Sequence, residues 1–241
     1  MTGVGLRWTK LVIGAVFGFL LAGQVAAAEG DWRAVYVVTY GGSTVGELHR
    51  ELRLQADSYR FSSRLIPKGM GMIFSSDVIE QISEGAITSD GGWRPNKYFY
   101  SNSSRPDKPH DFLFDWTAMK LSFATESVGL VAGLHDELSQ VRALAQQIAA
   151  GDREINLQVL SGSKRRIYGY QYRVEGEGTL TVPFNGGGQN EEALLVTLTT
   201  SRGKYATRFW LSPARDYLPL RIERTQIKKQ RVVVMQLIDF E

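Results

Sequence analysis

His49, His110 and His135 are the three histidines of the 241-residue chain. A three-histidine metal centre needs all of them to converge, and their spacing gives no sign of it. No His-Glu-x-x-His motif sets two ligands one helical turn apart. Cysteine is absent, which removes thiolate metal sites, thiol nucleophiles and disulfides together. His135, Asp136 and Ser139 supply the residue types of a nucleophilic triad within one short segment. Triads are defined by convergence in space rather than by adjacency, and the Gly-x-Ser-x-Gly elbow that exposes a nucleophilic serine is missing. Asp136 has a plainer use at the start of a helix, where a side-chain oxygen accepts from free N–H groups. Glu47, Glu51, Glu80, Asp111 and Asp115 are available carboxylates, but no spacing selects an acid–base pair. Gly69–Gly71 and Gly186–Gly188 lack the lysine and the strand-to-helix setting of a phosphate loop. The chain therefore indicates no metal, no cofactor and no catalytic residue.

Binding chemistry is better represented. Phe112, Phe114 and Trp116 share one short segment, and Trp210 follows Phe209. Neighbours along a strand point to opposite faces, so Phe209 and Trp210 cannot both enter one core. The second face must be covered or must line a groove. An apolar concave sheet face is a natural ligand site, which makes Phe112, Phe114, Trp116 and Trp210 the groove candidates. Lys164, Arg165 and Arg166 form one basic cluster, and Lys228, Lys229 and Arg231 another. Each is expected beside a hairpin turn. Such residues either guard sheet edges against strand addition or form a basic rim that meets anionic head groups or glycolipid phosphates.

The first residues set the compartment. Arg7 and Lys10 precede an apolar run from Leu11 to Leu21, and Ala26-Ala27-Ala28 follows. That order is a secretory signal peptide with cleavage expected after Ala28, leaving residues 29–241 as one exported, periplasmic domain. The run is shorter than the roughly 20 residues of a spanning helix, and the mature protein is not expected to cross a membrane. The formal charge is +3, and loss of Arg7 and Lys10 brings it close to zero. Near-neutrality and export argue against a nucleic-acid partner.

The elements that must position these residues are mostly strands. Gly recurs 25 times, often between short alternating runs, a β pattern with tight turns. Trp32–Tyr40, Val45–Ala56 and Tyr59–Ile66 read as an antiparallel meander. Pro67–Met72 interrupts the pattern, which resumes over Ile73–Glu84, Gly85–Thr88 and Pro95–Asn102. Asp111–Trp116 and Met119–Thr125 form a hairpin. Leu138, Val141, Leu144 and Ile148 recur at helical spacing, predicting a helix over Glu137–Ala150 with Asp136 and Gly151 as caps. Strands return over Glu154–Leu160, Arg165–Val174, Gly178–Pro183, Ala193–Thr200, Tyr205–Leu211, Leu220–Gln226 and Arg231–Phe240. Asn185–Asn190 reads as a flexible loop. The expected fold is mainly β: a long curved antiparallel sheet, or barrel-like meander, with one packed helix.

Several stretches also resemble a known family. They are Tyr40-Gly41-Gly42-Ser43-Thr44-Val45-Gly46-Glu47, Phe114-Asp115-Trp116, Gly133-Leu134-His135-Asp136-Glu137-Leu138-Ser139, and Phe209-Trp210-Leu211 followed by Tyr217-Leu218-Pro219-Leu220-Arg221-Ile222. In these the chain is similar to the exported proteobacterial proteins grouped as domain of unknown function 3108. The resemblance implies a mainly β periplasmic domain and transfers no catalytic residue. Together these readings give a non-enzymatic protein that binds a lipid or amphipathic envelope component. The alternatives are an envelope assembly factor acting through protein contacts and an envelope hydrolase.

Overall fold

The computed structural model describes residues 30–74, 77–106, 110–184, 186–200 and 203–241. The expected signal peptide and its cleavage point lie outside the described residues. Strands β1 (Trp32–Tyr40), β2 (Ser43–Gln55), β3 (Ser58–Pro67), β4 (Ile79–Ile87), β5 (Trp93–Asn102), β6 (His110–Asp115), β7 (Lys120–Phe123) and β8 (Glu126–Gly129) form one half of the molecule. A helical turn, α1 (Gly71–Phe74), precedes β4. The other half holds β9 (Leu134–Asp136), helix α2 (Ser139–Ala149), β10 (Glu154–Ser161), β11 (Arg166–Phe184), β12 (Gly187–Thr200), β13 (Tyr205–Ser212), β14 (Leu218–Gln226) and β15 (Arg231–Phe240).

All 15 strands belong to one sheet, ordered β8-β7-β6-β5-β4-β3-β2-β1-β15-β14-β13-β12-β11-β10-β9. Sequence neighbours pair everywhere except between β8 and β9, and β1 pairs with β15 to join the halves. Only β9 against β10 is parallel. The two edges, β8 and β9, follow one another in sequence without pairing, so the sheet curls like a barrel but keeps a seam. Bulges in β2, β5, β11, β14 and β15 supply local bends.

Helix α2 fills that seam. Leu138 and Val141 pack with Phe61, Tyr98 and Phe112 from the first half. Ala143, Leu144 and Ile148 pack with Ile155, Val159 and Val196 from the second. Each fully buried Leu or Ile contributes about 1.5–3 kcal/mol, so this stripe fastens the two halves together. Its C-terminus closes as a Schellman motif: Gly151 N–H reaches Ile148 O at 2.9 Å and Asp152 N–H reaches Gln147 O at 3.0 Å. Gly151 takes φ +97° there, which a side chain would oppose.

The structure departs from the sequence expectation in four places. Arg165–Val174 and Gly178–Pro183 are one 19-residue strand, bent at a bulge between Val174 and Gly176. Gly187–Asn190 belong to β12 rather than to a loop, since they pair with Thr181–Phe184. Gly186 at φ +78° makes the turn tight enough for pairing to begin at once. Within Ile73–Glu84 the described strand begins at Ile79, and Ile73 and Phe74 belong to α1, into which the chain is drawn by the Lys68 N–H bond to Val45 O at 3.0 Å. Finally, β8 and β9 are too short to show a period of their own. The far half of the β11–β12 hairpin turns back to place Val182, Phe184 and Ala193 in a third core cluster with Tyr36, Leu220 and Leu237.

Candidate functional site

The start of α2 holds the densest set of buried polar groups. Asp136 is fully buried. Its Oδ1 accepts from Leu138 N–H at 2.8 Å and Ser139 N–H at 2.9 Å, and its Oδ2 accepts from Ser83 Oγ at 2.6 Å. Ser139 Oγ accepts in return from Asp136 N–H at 3.0 Å. This reciprocal pair is a capping box. Burial raises the Asp136 carboxyl above its ordinary range, and these hydrogen bonds partly oppose the shift. Glu137 Oε2 accepts from Gln81 Nε2 and Tyr98 OH, both at 2.9 Å, and its Oε1 accepts from Ser161 Oγ at 2.9 Å. His135 is pushed down to about 4 by burial, and its Nδ1 has no hydrogen-bond partner. The three triad residue types therefore build a helix start and make no Ser–His hydrogen bond. Among the described residues, no three His, Asp or Glu side chains gather as a metal site would require.

The aromatic candidates fall in two places. Phe112 and Phe114 are buried in the first core cluster. Trp116 stacks on Phe114 with ring centroids 6.1 Å apart, and its Nε1–H donates to Pro95 O at 2.7 Å. It lines a cavity of about 300 Å³ with Trp93, His135 and Gln146. Trp210 stands apart from this group. It packs against the third cluster under the Arg221 guanidinium, 5.7 Å from its ring centroid, while Phe209 packs with Tyr172 in the second. The opposed directions read from the sequence thus correspond to two different clusters.

Lys164 and Arg165 occupy the β10–β11 turn and Arg166 begins β11; Lys228 and Lys229 occupy the β14–β15 turn and Arg231 begins β15. All six are exposed. In an antiparallel sheet alternate turns share one end, which places both clusters at the end where β1 finishes. That end also holds an apolar cavity of about 470 Å³. Val38, Tyr40, Val45, Leu65, Ile79 and Val233 line it, with Asp77 as its one charged wall. Tyr40 pairs directly with Val233, two residues beyond Arg231. The cavity lies on the sheet face that buries Leu48 and Phe61, because Gly46 and Leu65 keep their alternation. Two glycines permit its wall. A Cβ on Gly71 would sit 1.7 Å from Val45 O, and one on Gly46 would sit 2.7 Å from Ile66 O.

A family described as "Protein of unknown function (DUF3108)" matches residues 35–236. The chain belongs to that family. Of the described sheet, the match leaves out only the first residues of β1 and the last of β15. A search of curated proteins found no match. Among solved structures, a beta-barrel-like protein of domain of unknown function DUF1849 from Brucella abortus is similar, with TM-score 0.62 and 14% identity over 88% of this chain and 97% of that one. At that identity the likeness is one of fold. MucB aligns at TM-score 0.31 and 14% identity over 90% of this chain and 54% of its own.

None of the four aromatic candidates lines the 470 Å³ cavity of this DUF3108 member. Its walls are mostly aliphatic side chains at strand ends, joined by Tyr40 and Asp77, and the aliphatic ones are ordinary core residues when read alone. The available signal was the Pro67–Met72 break, whose glycines bring a turn against β2 at the cavity mouth.

Proposed function

We propose that this protein is an exported, non-enzymatic binding protein for a lipid or another amphipathic envelope molecule. The supporting observation is the 470 Å³ apolar cavity opening at the end of the sheet that carries Lys164, Arg165, Arg166, Lys228, Lys229 and Arg231. The volume falls within the range of small-molecule sites, roughly 300–1,000 Å³. An acyl or other apolar chain enters between β1, β3 and β15, and its anionic head meets the Lys228–Arg231 turn beside Val233. Burial in the cavity removes methylenes from water at about 0.8 kcal/mol each. Affinity for alkyl phosphates of increasing length, measured by calorimetry, should therefore rise about fourfold per methylene until the cavity is full. Val233→Trp should move that plateau to shorter chains. Affinity independent of chain length, or a plateau unmoved by Val233→Trp and Ile79→Trp alike, excludes this cavity as the binding site.

A further inference from the structure

Exposed apolar side chains stand around the cavity mouth. Met70 is 48% exposed and Met72 65%, both in the turn that follows β3, and Ile227 is 44% exposed in the turn after β14. Large apolar side chains left in water at loop tips mark a contact surface when they gather at one place. Antiparallel alternation puts these turns at one end, and the β3-β2-β1-β15-β14 order separates them by four strand spacings, about 19 Å. Ile227 N–H bonds Lys204 O at 3.1 Å, which brings the turn before β13 to the same spot.

The charges there are mostly cations. Several cations on the body of the sheet are paired, Arg33 with Glu51, Arg60 with Glu84, Lys97 with Asp111 and Arg221 with Glu223, while Arg64, Arg94, Arg208 and Arg224 have no carboxylate partner among the described residues. Among the described residues no carboxylate pairs with Lys204, Lys228, Lys229 or Arg231. The turns at the opposite end carry Asp31, Asp57, Asp90, Asp152 and Asp216. The sheet thus has a cationic end tipped with methionine and isoleucine, whereas the opposite end mixes these acids with Lys120, Arg153 and Arg215 and exposes Met119 and Val131.

We propose that the cationic end is a docking surface for an anionic lipid bilayer, with Met70, Met72 and Ile227 entering the headgroup–acyl boundary while Lys204, Lys228, Lys229 and Arg231 hold lipid phosphates. Charge complementarity selects this occupant: unpaired cations surrounding a few apolar anchors are what peripheral attachment to an anionic interface uses. The surface lies outside the cavity, so docking holds whatever the cavity contains. It would bring the cavity mouth against the membrane.

Co-sedimentation of the protein, purified in the form the cell accumulates, tests this with phosphatidylcholine vesicles made with and without phosphatidylglycerol. Binding should require phosphatidylglycerol and weaken with added salt. Lys228→Gln with Lys229→Gln should lower the partition coefficient roughly 30-fold. Met70→Ser with Met72→Ser should weaken binding and leave the remainder more salt-sensitive. Lys120→Gln, at the opposite end, should change nothing. Val233→Trp should bind vesicles like the wild type, so an empty cavity would overturn the ligand reading without touching this one. Equal binding to both vesicle types, binding to neither, or indifference to both double substitutions in variants with wild-type melting curves overturns the proposal.

Discussion

Replacing Asp136 should separate a hydrogen-bonding role from a charge role. Asp136→Ala removes the acceptor for Leu138 N–H, Ser139 N–H and Ser83 Oγ. Ser83 can turn to Tyr59 OH, 3.2 Å away, but the two N–H groups are buried at the helix start without a partner. An unsatisfied buried donor costs about 1–3 kcal/mol, so Asp136→Ala should lose about 3 kcal/mol after part is recovered by removing a buried carboxylate. Asp136→Asn keeps an oxygen for both N–H groups and presents its amide to Ser83, and should cost under about 1 kcal/mol. The pH dependence has a definite sign. Burial raises the folded-state pKa of Asp136 above its ordinary 3.8. The stability linked to its proton is thus present below 3.8 and is lost as pH rises through the raised folded value. Asp136→Asn should accordingly gain on the wild type with rising pH. Urea unfolding at several pH values, with m unchanged, measures both effects. Equal losses in the two variants would refute the capping argument.

Two further predictions concern the same scaffold. His135 is held down to about 4 in the folded protein against an ordinary value of 6.5, so the unfolded chain binds more protons between those values and stability should fall as pH drops from 6.5 to 4. The loss is up to about 3 kcal/mol, and His135→Gln should flatten that limb in urea titrations. Gly71→Ala drives a methyl into Val45 O, which should free the α1 turn and accelerate limited proteolysis within residues 68–74 roughly tenfold; an unchanged digestion rate would show that the turn does not seal the cavity wall.

Much of the fold was legible because alternation and helical spacing are local signals. β1 and β15 run over Trp32–Tyr40 and Arg231–Phe240, as the alternating runs indicate. Of the stripe at the α2 start and along it, Leu138, Leu144 and Ile148 are buried and Val141 is half-buried. What was not legible depends on pairing. The continuity of β11 through Gly176 rests on its register with Leu195, which no local pattern encodes. Leu134–Asp136 becomes a strand only because Gln158–Leu160 lies beside it. The site divides in the same way. Basic turns were visible as Lys-Arg-Arg and Lys-Lys runs, but their shared end follows from the antiparallel pairing of β11 through β15. The tryptophans stand out by size, but their surroundings are set by pairing: Trp116 is hydrogen-bonded to Pro95 O and lines a smaller cavity, and Trp210 lies under Arg221. The cavity is made by Val38, Tyr40, Leu65 and Val233, which come together only when β3, β1 and β15 do.

The most direct measurement is native mass spectrometry of the protein as the cell accumulates it, with extraction and identification of whatever it carries. The account predicts a stoichiometric amphiphile on the wild type, lost from Val233→Trp and Ile79→Trp while their melting temperatures stay close to the wild-type value. A clean mass that stays unchanged after exposure to envelope lipids, or a bound amphiphile retained by both cavity-filling variants, would contradict it.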